Sequence, residues 1–137
     1  MSREYYFFIK DIIQSCEKII RYLEKLSFEQ FCTDEIKYDA VIRNLEIIGE
    51  AAKYLPDTIR ACFPKVEWRK VAGLRDILIH AYFSIDNAIL WDIVKFKIPQ
   101  LLKSILEDLK NFESAEAKNS IGRAKSLPEQ KNKSTPE

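Results

Sequence analysis

The sequence has few of the residues that turns, disulfides and metal sites require. Only three of its 137 residues are glycine, which argues against a turn-rich all-β fold. Its three cysteines, Cys16, Cys32 and Cys62, form no CxxC pair, and only one histidine, His80, could join them at a metal. With no Gly-rich phosphate loop either, we expect neither a metal nor a cofactor, and we expect reduced thiols in a cytoplasm.

Long apolar runs and an excess of one charge sign are also missing. No run approaches the roughly 18 apolar residues of a membrane span, and the N-terminal stretch lacks the features of a signal peptide. Over the chain, 22 Lys/Arg oppose 21 Asp/Glu. Because a neutral domain is not a general nucleic-acid binder, any contact with RNA or DNA has to come from a local patch.

The C-terminal end differs in composition from the rest of the chain. Residues 113–137 carry five Lys/Arg, four Glu and no aromatic residue. Such a segment cannot bury enough apolar surface to offset the entropy of ordering. We therefore predict one helical domain over residues 1–112, neutral in charge, and a disordered polar tail over 113–137.

Apolar residues recur at helical spacing through residues 1–112, and no strand alternation is seen. The sequence predicts an all-α fold, an antiparallel bundle of four to five helices. Short helices are expected at SFEQFC and PDTIRACF. The long helices are predicted over residues 3–26, up to about Leu55, from about Glu67 toward His80, and from Ser84 to about Phe112.

Local signals mark where these helices begin and bend. Ser27 and Gln30 can form a capping box, and Thr33 or Asp34 can cap the second long helix. Pro99 is expected to kink the last helix because it lacks a backbone donor.

The second long helix carries two stripes. A polar stripe holds Arg43, Glu46 and Glu50 at i, i+3 and i+7. An apolar stripe beside it consists of Ile36, Ala40, Val41, Leu45, Ile48, Ala52 and Leu55.

The stretch GLRDILIHAY, residues 73–82, holds groups that chemistry on an anion would use. The guanidinium of Arg75 can bind an anion, and His80 has the one type of side chain whose ordinary pKa is near neutrality. Asp76 lies four residues before His80 on the same helix face and can orient its imidazole. Tyr82 adds a phenol. On a straight helix, Arg75 and His80 lie about 140° apart, so they cannot share a face unless the helix ends or distorts before His80.

The local charge favours an anionic ligand, and Trp68 could stack on a base beside Arg69 and Lys70. A lone histidine near a helix end more often caps carbonyls, however, an arginine often makes a surface ion pair, and a tryptophan is often a core anchor. From spacing alone, these structural interpretations are favoured. Between Arg60 and His80 the basic residues are Arg60, Lys65, Arg69, Lys70 and Arg75, against Glu67 and Asp76.

The stretch from Arg75 to Tyr82 reads Arg, four residues, His, any residue, Tyr, which resembles the signature of the HepT toxins of the HEPN superfamily of helical ribonucleases. The similarity extends to AVIRNLEIIGEAAKYLP (40–56), to WRKVAGLRDILIHAYFSIDNAILWDIV (68–94) and to IPQLL (98–102). It covers nearly all of residues 1–112 and leaves out the tail.

This resemblance implies a HEPN-like bundle that forms a homodimer, with the Arg–His motifs lining a cleft between subunits. It implies metal-independent cleavage of RNA, with tRNA a reasonable substrate and DNA excluded because DNA lacks the 2′-OH. His80 would be the general base and Arg75 would hold the scissile phosphate. Asp76 would support His80, or weaken RNA binding through its charge; the sequence leaves both open.

The resemblance also implies a partner. HepT proteins are paired with MntA, a minimal nucleotidyltransferase antitoxin that adds AMP to the tyrosine that Tyr82 matches. A nucleotide there would place phosphate charge and bulk where the substrate phosphate must lie. A packed tyrosine whose hydroxyl caps a backbone group is the simpler alternative.

Two other functions stay open. The chain could be a non-catalytic helical partner of a nucleotidyltransferase, or a structural dimerisation domain. Apolar residues on more than one face of the first helix, such as Phe7, Phe8, Ile12 and Ile13, favour dimerisation in every case.

Overall fold

Helices account for most of the described residues in the computed structural model. The backbone is described for residues 1–81 and 86–133, and the side chains for residues 1–79 and 86–119. The α-helices are α1 (Arg3–Leu23), α2 (Phe28–Thr33), α3 (Glu35–Tyr54), α4 (Asp57–Arg60), α5 (Trp68–Ala81), α6 (Asn87–Asp92) and α7 (Ile98–Lys133), with a π-helical turn at Ile93–Lys97. Within these ranges no strand occurs, which confirms the predicted all-α, HEPN-like bundle.

Polar side chains fix where the helices begin. The predicted capping box is present, since Ser27 accepts from the Gln30 backbone N–H and Gln30 accepts from that of Ser27. Of the two candidate caps for α3, Asp34 accepts from the Lys37 N–H at 3.0 Å.

The predicted cap of the last helix, Ser84, lies outside the described residues. The structure begins α6 at Asn87, and the carboxylate of Asp86 accepts from the N–H groups of Ala88 and Ile89. An ionised carboxylate is a stronger acceptor for these first-turn donors than a hydroxyl.

A π turn lies just before Pro99, where the sequence predicts a kink. Residues Ile93–Lys97 are π-helical and lie immediately before α7, whose second residue is Pro99. Proline has no N–H to donate to the preceding turn, so the α-helical ladder is interrupted there. The two halves, α6 and α7, therefore form one helix with an irregular turn.

The core lies where α1 packs on both α3 and α7, while α3 also carries α5 on another side. Two predicted stripe residues do not join this core: Ile36, in the first turn of α3, is 83% exposed, and Ala40 is half-buried. The largest fully buried side chains are Phe31, Phe63, Ile9, Ile12, Ile19, Leu45, Ile48, Ile98, Ile105, Val41, Val94 and Cys16.

All three cysteines are free thiols, in agreement with the absence of a CxxC pair. Cys16 is buried in the core, where loss of solvent and then the charge of Glu17 raise its pKa to about 12. A thiol so far above its usual pKa stays protonated at neutral pH, so Cys16 is a packing residue and not a nucleophile.

The tail begins as a continuation of α7. The sequence predicted disorder from residue 113, whereas the structure extends the helix to Lys133. Side chains of residues 113–119 are exposed, so this part of the helix is not packed on the bundle. Its Ala, Glu and Lys residues have high intrinsic helix propensity. The boundary between domain and tail stays a prediction.

Helices α3 and α5 pack closely against each other at Gly49. A Cβ built on Gly49 would lie 3.4 Å from both the Cβ and the backbone N of Arg75. The two helices are therefore closely packed at the level of Arg75, with contact-distance room for a Cβ and little room for a larger side chain. Gly73, also in α5, differs, since a Cβ there would have no heavy atom within 4 Å.

We expect opposite effects of substitution at these two glycines. Gly49→Leu should lower the free energy of unfolding by about 1–3 kcal/mol, because the added atoms overpack the helix crossing. Gly73→Ala should raise it by about 0.5–1 kcal/mol, because alanine restricts the unfolded chain and meets no neighbour. Denaturant unfolding of both variants checks this, and a Gly49→Leu protein as stable as the wild type would contradict the close approach.

Candidate active site

The residues of the predicted motif lie on one continuous helix. Helix α5 includes both Arg75 and His80 and ends at Ala81, so it does not end before the histidine. The positions of Arg75 and His80 on α5 are therefore about 140° apart around the helix axis. The side chain of His80 and the whole of Tyr82 lie outside the described residues, so the contact of Asp76 with His80 and the role of Tyr82 stay predictions.

Arg75 is held by a carboxylate of the neighbouring helix. Its Nε lies 3.0 Å from Oε1 of Glu50 in an ion pair, and the two side chains are 40% and 42% exposed. Glu50 follows Gly49 directly, so the close approach of α3 and α5 is what places the carboxylate beside the guanidinium. Asp76, the next residue in α5, is exposed to solvent.

Glu50 also borders an open groove of about 260 Å³ between α1 and α3. Tyr54, which is 60% exposed, stacks there on Phe8 with ring centroids 5.5 Å apart. The polar stripe of α3 supplies most of the groove's charge. The lining consists of Phe8, Asp11, Arg43, Glu46, Ile47, Glu50, Ala51 and Tyr54.

Sequence reasoning noted Glu50 only as a member of this polar stripe and did not connect it with Arg75. The available signal was a glutamate next to a glycine on the inner face of a helix, because such a glycine often marks a close helix crossing. A sequence without its fold does not show which residue lies across that crossing.

The basic residues near the motif are largely engaged with acidic or carbonyl groups. Lys65 pairs with Glu107 at 2.7 Å, and Lys70 pairs with Glu67 at 2.7 Å. The hydrogen bond with Glu107 raises the pKa of Lys65, and the hydrogen bond with Lys70 lowers the pKa of Glu67. Such pairs reduce the local positive potential that the sequence suggested.

The two other basic residues of this stretch differ from each other. Arg60 donates from Nη2 to the carbonyl of Ala52 at 2.7 Å, near the end of α3. Arg69 is exposed and has no ion pair within residues 1–79 and 86–119. Of the predicted RNA contacts, Arg69 is thus the cation least occupied by neighbours.

Trp68 is tied into the fold at the start of α5. Its indole N–H donates to the carbonyls of Arg60 at 3.0 Å and Phe63 at 3.2 Å, and its half-buried ring meets Phe63 edge-on. This is the structural anchor that the sequence offered as the alternative to a base platform. Base stacking by Trp68 stays a prediction.

Among the side chains of residues 1–79 and 86–119, no group of three or more His, Cys, Asp or Glu is placed to hold a metal ion. None of the helices in the described segments is long and apolar enough to cross a membrane.

Comparison with known proteins identifies the family. The model of the family described as "Ribonuclease HepT-like" matches residues 12–108. The chain belongs to this HepT-like family of the HEPN superfamily, as the motif and its flanking segments indicated.

Individual relatives span most of the domain. "Putative RNase MJ0127" of Methanocaldococcus jannaschii is 44% identical over 114 residues, which are 83% of this chain and 93% of that protein. "Probable ribonuclease HepT" of Thermococcus cleftensis is 43% identical over 101 residues, 74% of this chain and 92% of its own length. No solved structure shows a significant match to the chain.

The anchoring role of Trp68 gives a testable difference in stability. Trp68→Phe should lower the free energy of unfolding by about 1–2 kcal/mol, because two carbonyls lose their donor while the ring is kept. Trp91→Phe is the matched control, since Trp91 is also half-buried and its indole N–H has no hydrogen-bond partner in the described part of the chain. Equal losses in the two variants, measured by thermal unfolding, would argue against the anchor.

Proposed function

We propose that the chain is the toxin of a toxin–antitoxin system and acts as a metal-independent endoribonuclease. The observation that carries this proposal is Arg75, half-exposed and oriented by Glu50, on the same helix as His80 in a chain of the HepT-like family. The proposal is supported by two relatives, one named as a putative RNase and the other as a probable ribonuclease HepT. We place its action in the cytoplasm, in line with three free cysteines.

The proposed reaction is an internal displacement at phosphorus. His80 removes the proton from a ribose 2′-OH and the 2′-oxygen attacks the adjacent phosphorus. The bond from phosphorus to the 5′-oxygen breaks, and the departing 5′-oxygen takes up a proton from water. Arg75 binds the non-bridging oxygens and stabilises the charge they gain in the transition state. The products carry a 2′,3′-cyclic phosphate and a 5′-OH, and DNA is not cut because it has no 2′-OH.

In a homodimer, an arginine and a histidine of the motif can both face one phosphate, which the two residues of a single helix cannot do. Arg75 and His80 are about 140° apart around α5, so a single copy does not direct both toward one phosphate. Two copies facing each other through their α5 helices can combine the arginine of one with the histidine of the other. In support, α5 packs chiefly on α3 and leaves Ile77 and Ile79 exposed by 45% and 56%.

RNA selection is proposed to depend on the shape of this cleft and on few cations. Arg69 and Lys70 are candidate phosphate contacts, with Trp68 near them at the start of α5. Because most basic residues of the stretch are paired, we expect weak general affinity and selection of a folded RNA such as tRNA. Asp76 would oppose binding through its charge while supporting the basicity of His80.

The partner is proposed to be an MntA-like minimal nucleotidyltransferase that transfers AMP to Tyr82. The phosphate of the added AMP would compete with substrate phosphate for Arg75. The alternative function is a non-catalytic helical partner of such an enzyme, and the ion pairs that neutralise the basic stretch are the observation in its favour.

Cleavage is tested with bulk tRNA as the substrate and single-stranded DNA as the comparison. We expect Arg75→Ala and His80→Ala each to lower the rate by at least about 100-fold, because each removes a group that acts in the transition state. Arg43→Ala, an exposed arginine of α3, should cut like the wild type, and EDTA should not slow cleavage. Cyclic-phosphate ends on the products complete the assignment; full activity of His80→Ala would refute it.

Modification of Tyr82 is tested by intact-mass spectrometry. Coexpression with the neighbouring nucleotidyltransferase should add one or more AMP units, and the gain should vanish in Tyr82→Phe. The modified protein should also lose RNA cleavage, because the added phosphate occupies the site. A stable complex without any mass gain would favour the non-catalytic partner.

A further inference from the structure

Glu50 is the one acidic side chain that the described structure pairs with the motif arginine. We propose that Glu50 is a positioning residue for catalysis, which fixes the guanidinium of Arg75 so that its outer edge faces the substrate phosphate. This inference rests on the proposed ribonuclease function and adds a residue of α3 to a motif that lies on α5.

The atom that Glu50 engages determines what Arg75 can still do. The carboxylate oxygen Oε1 is paired with Nε, at 3.0 Å. A guanidinium has five N–H donors in a rigid planar fork, so a bond at Nε leaves the four donors of the two Nη atoms available. That remaining edge matches two oxygens of a phosphate.

The helix crossing keeps both ends of this arrangement in place. A Cβ built on Gly49 would lie 3.4 Å from the backbone N of Arg75, so α3 and α5 are closely packed at this level. The stem of Arg75 and the next residue of α3, Glu50, therefore begin from backbones that cannot shift independently. A long, flexible side chain is thus limited to a small set of orientations before RNA arrives.

The pair itself contributes little to folding. Both side chains are about two-fifths exposed, and ion pairs at such sites are weakened by water and salt. Meanwhile, a carboxylate near a phosphate opposes RNA binding by charge alone. A positioning role and a purely repulsive role therefore predict opposite kinetic effects of removing Glu50.

Three variants of the full chain separate these roles. Glu50→Gln keeps an oxygen that can accept from Nε and removes the charge. Glu50→Asp keeps the charge and withdraws the oxygen by one methylene. Glu50→Ala removes both. Glu46→Ala is the matched control, since it removes the same charge one turn earlier, from the lining of the same groove.

The readout is kcat and KM for cleavage of bulk tRNA, with thermal unfolding as a check on folding. We expect Glu50→Ala and Glu50→Asp to lower kcat by roughly tenfold to a hundredfold with a smaller change in KM, because the fork is misplaced by about an ångström. Glu50→Gln should keep most of kcat, and Glu46→Ala should match the wild type.

Each other outcome overturns the proposal. If kcat is unchanged in Glu50→Ala and Glu50→Asp, the pair has no role in the reaction. If Glu50→Asp keeps activity while Glu50→Gln loses it, the charge matters and the hydrogen bond does not. A higher kcat/KM in every Glu50 variant would make Glu50 a repulsive group. A wild type that cuts no RNA overturns the ribonuclease proposal and this one together, whereas normal variants beside an inactive Arg75→Ala overturn only this one.

Discussion

The crossing of α3 and α5 at Gly49 is the contact on which the site depends. It is a packing constraint of short range: α3 and α5 are closely packed at a position without a side chain, and the next residue along α3 then meets the arginine of α5. The hydrophobic core provides the rigidity behind it, since α3 is itself packed on α1 and α1 on α7. A loose bundle of the same composition would hold the same residues without fixing their relative positions.

The ion pairs around the motif change how its charge should be understood. The sequence shows five basic residues against two acidic ones between Arg60 and His80. The fold then brings Glu50 and Glu107 from other helices to this stretch, and Lys70 pairs within it. The stretch therefore attracts polyanions less than its composition suggests, and recognition has to rely on fit at a few donors.

Local signals predicted local structure well, and long-range pairing badly. The capping box at Ser27 and the irregular turn before Pro99 followed from residues within one turn of each other. The partner of Arg75 is 25 positions away on another helix, and no spacing rule connects them. The prediction that Ile36 is part of the apolar core was wrong for a related reason. Periodicity shows which face of a helix is apolar, but it does not show how far along that face the neighbouring helices extend. The functional expectation therefore came from the family resemblance and not from the spacing of residues.

The π turn at Ile93–Lys97 also accounts for the spacing of buried residues in this helix. Leu90, Val94 and Ile98 are all buried and are separated by two successive steps of four. In a plain α-helix two such steps drift by about 80° around the axis. A π turn holds more residues per turn and removes much of that drift, so the three side chains stay aligned on the core. The turn therefore acts as a one-residue length adjustment, which lets the chain carry an additional residue here without rotating the face that the rest of α7 presents to α1.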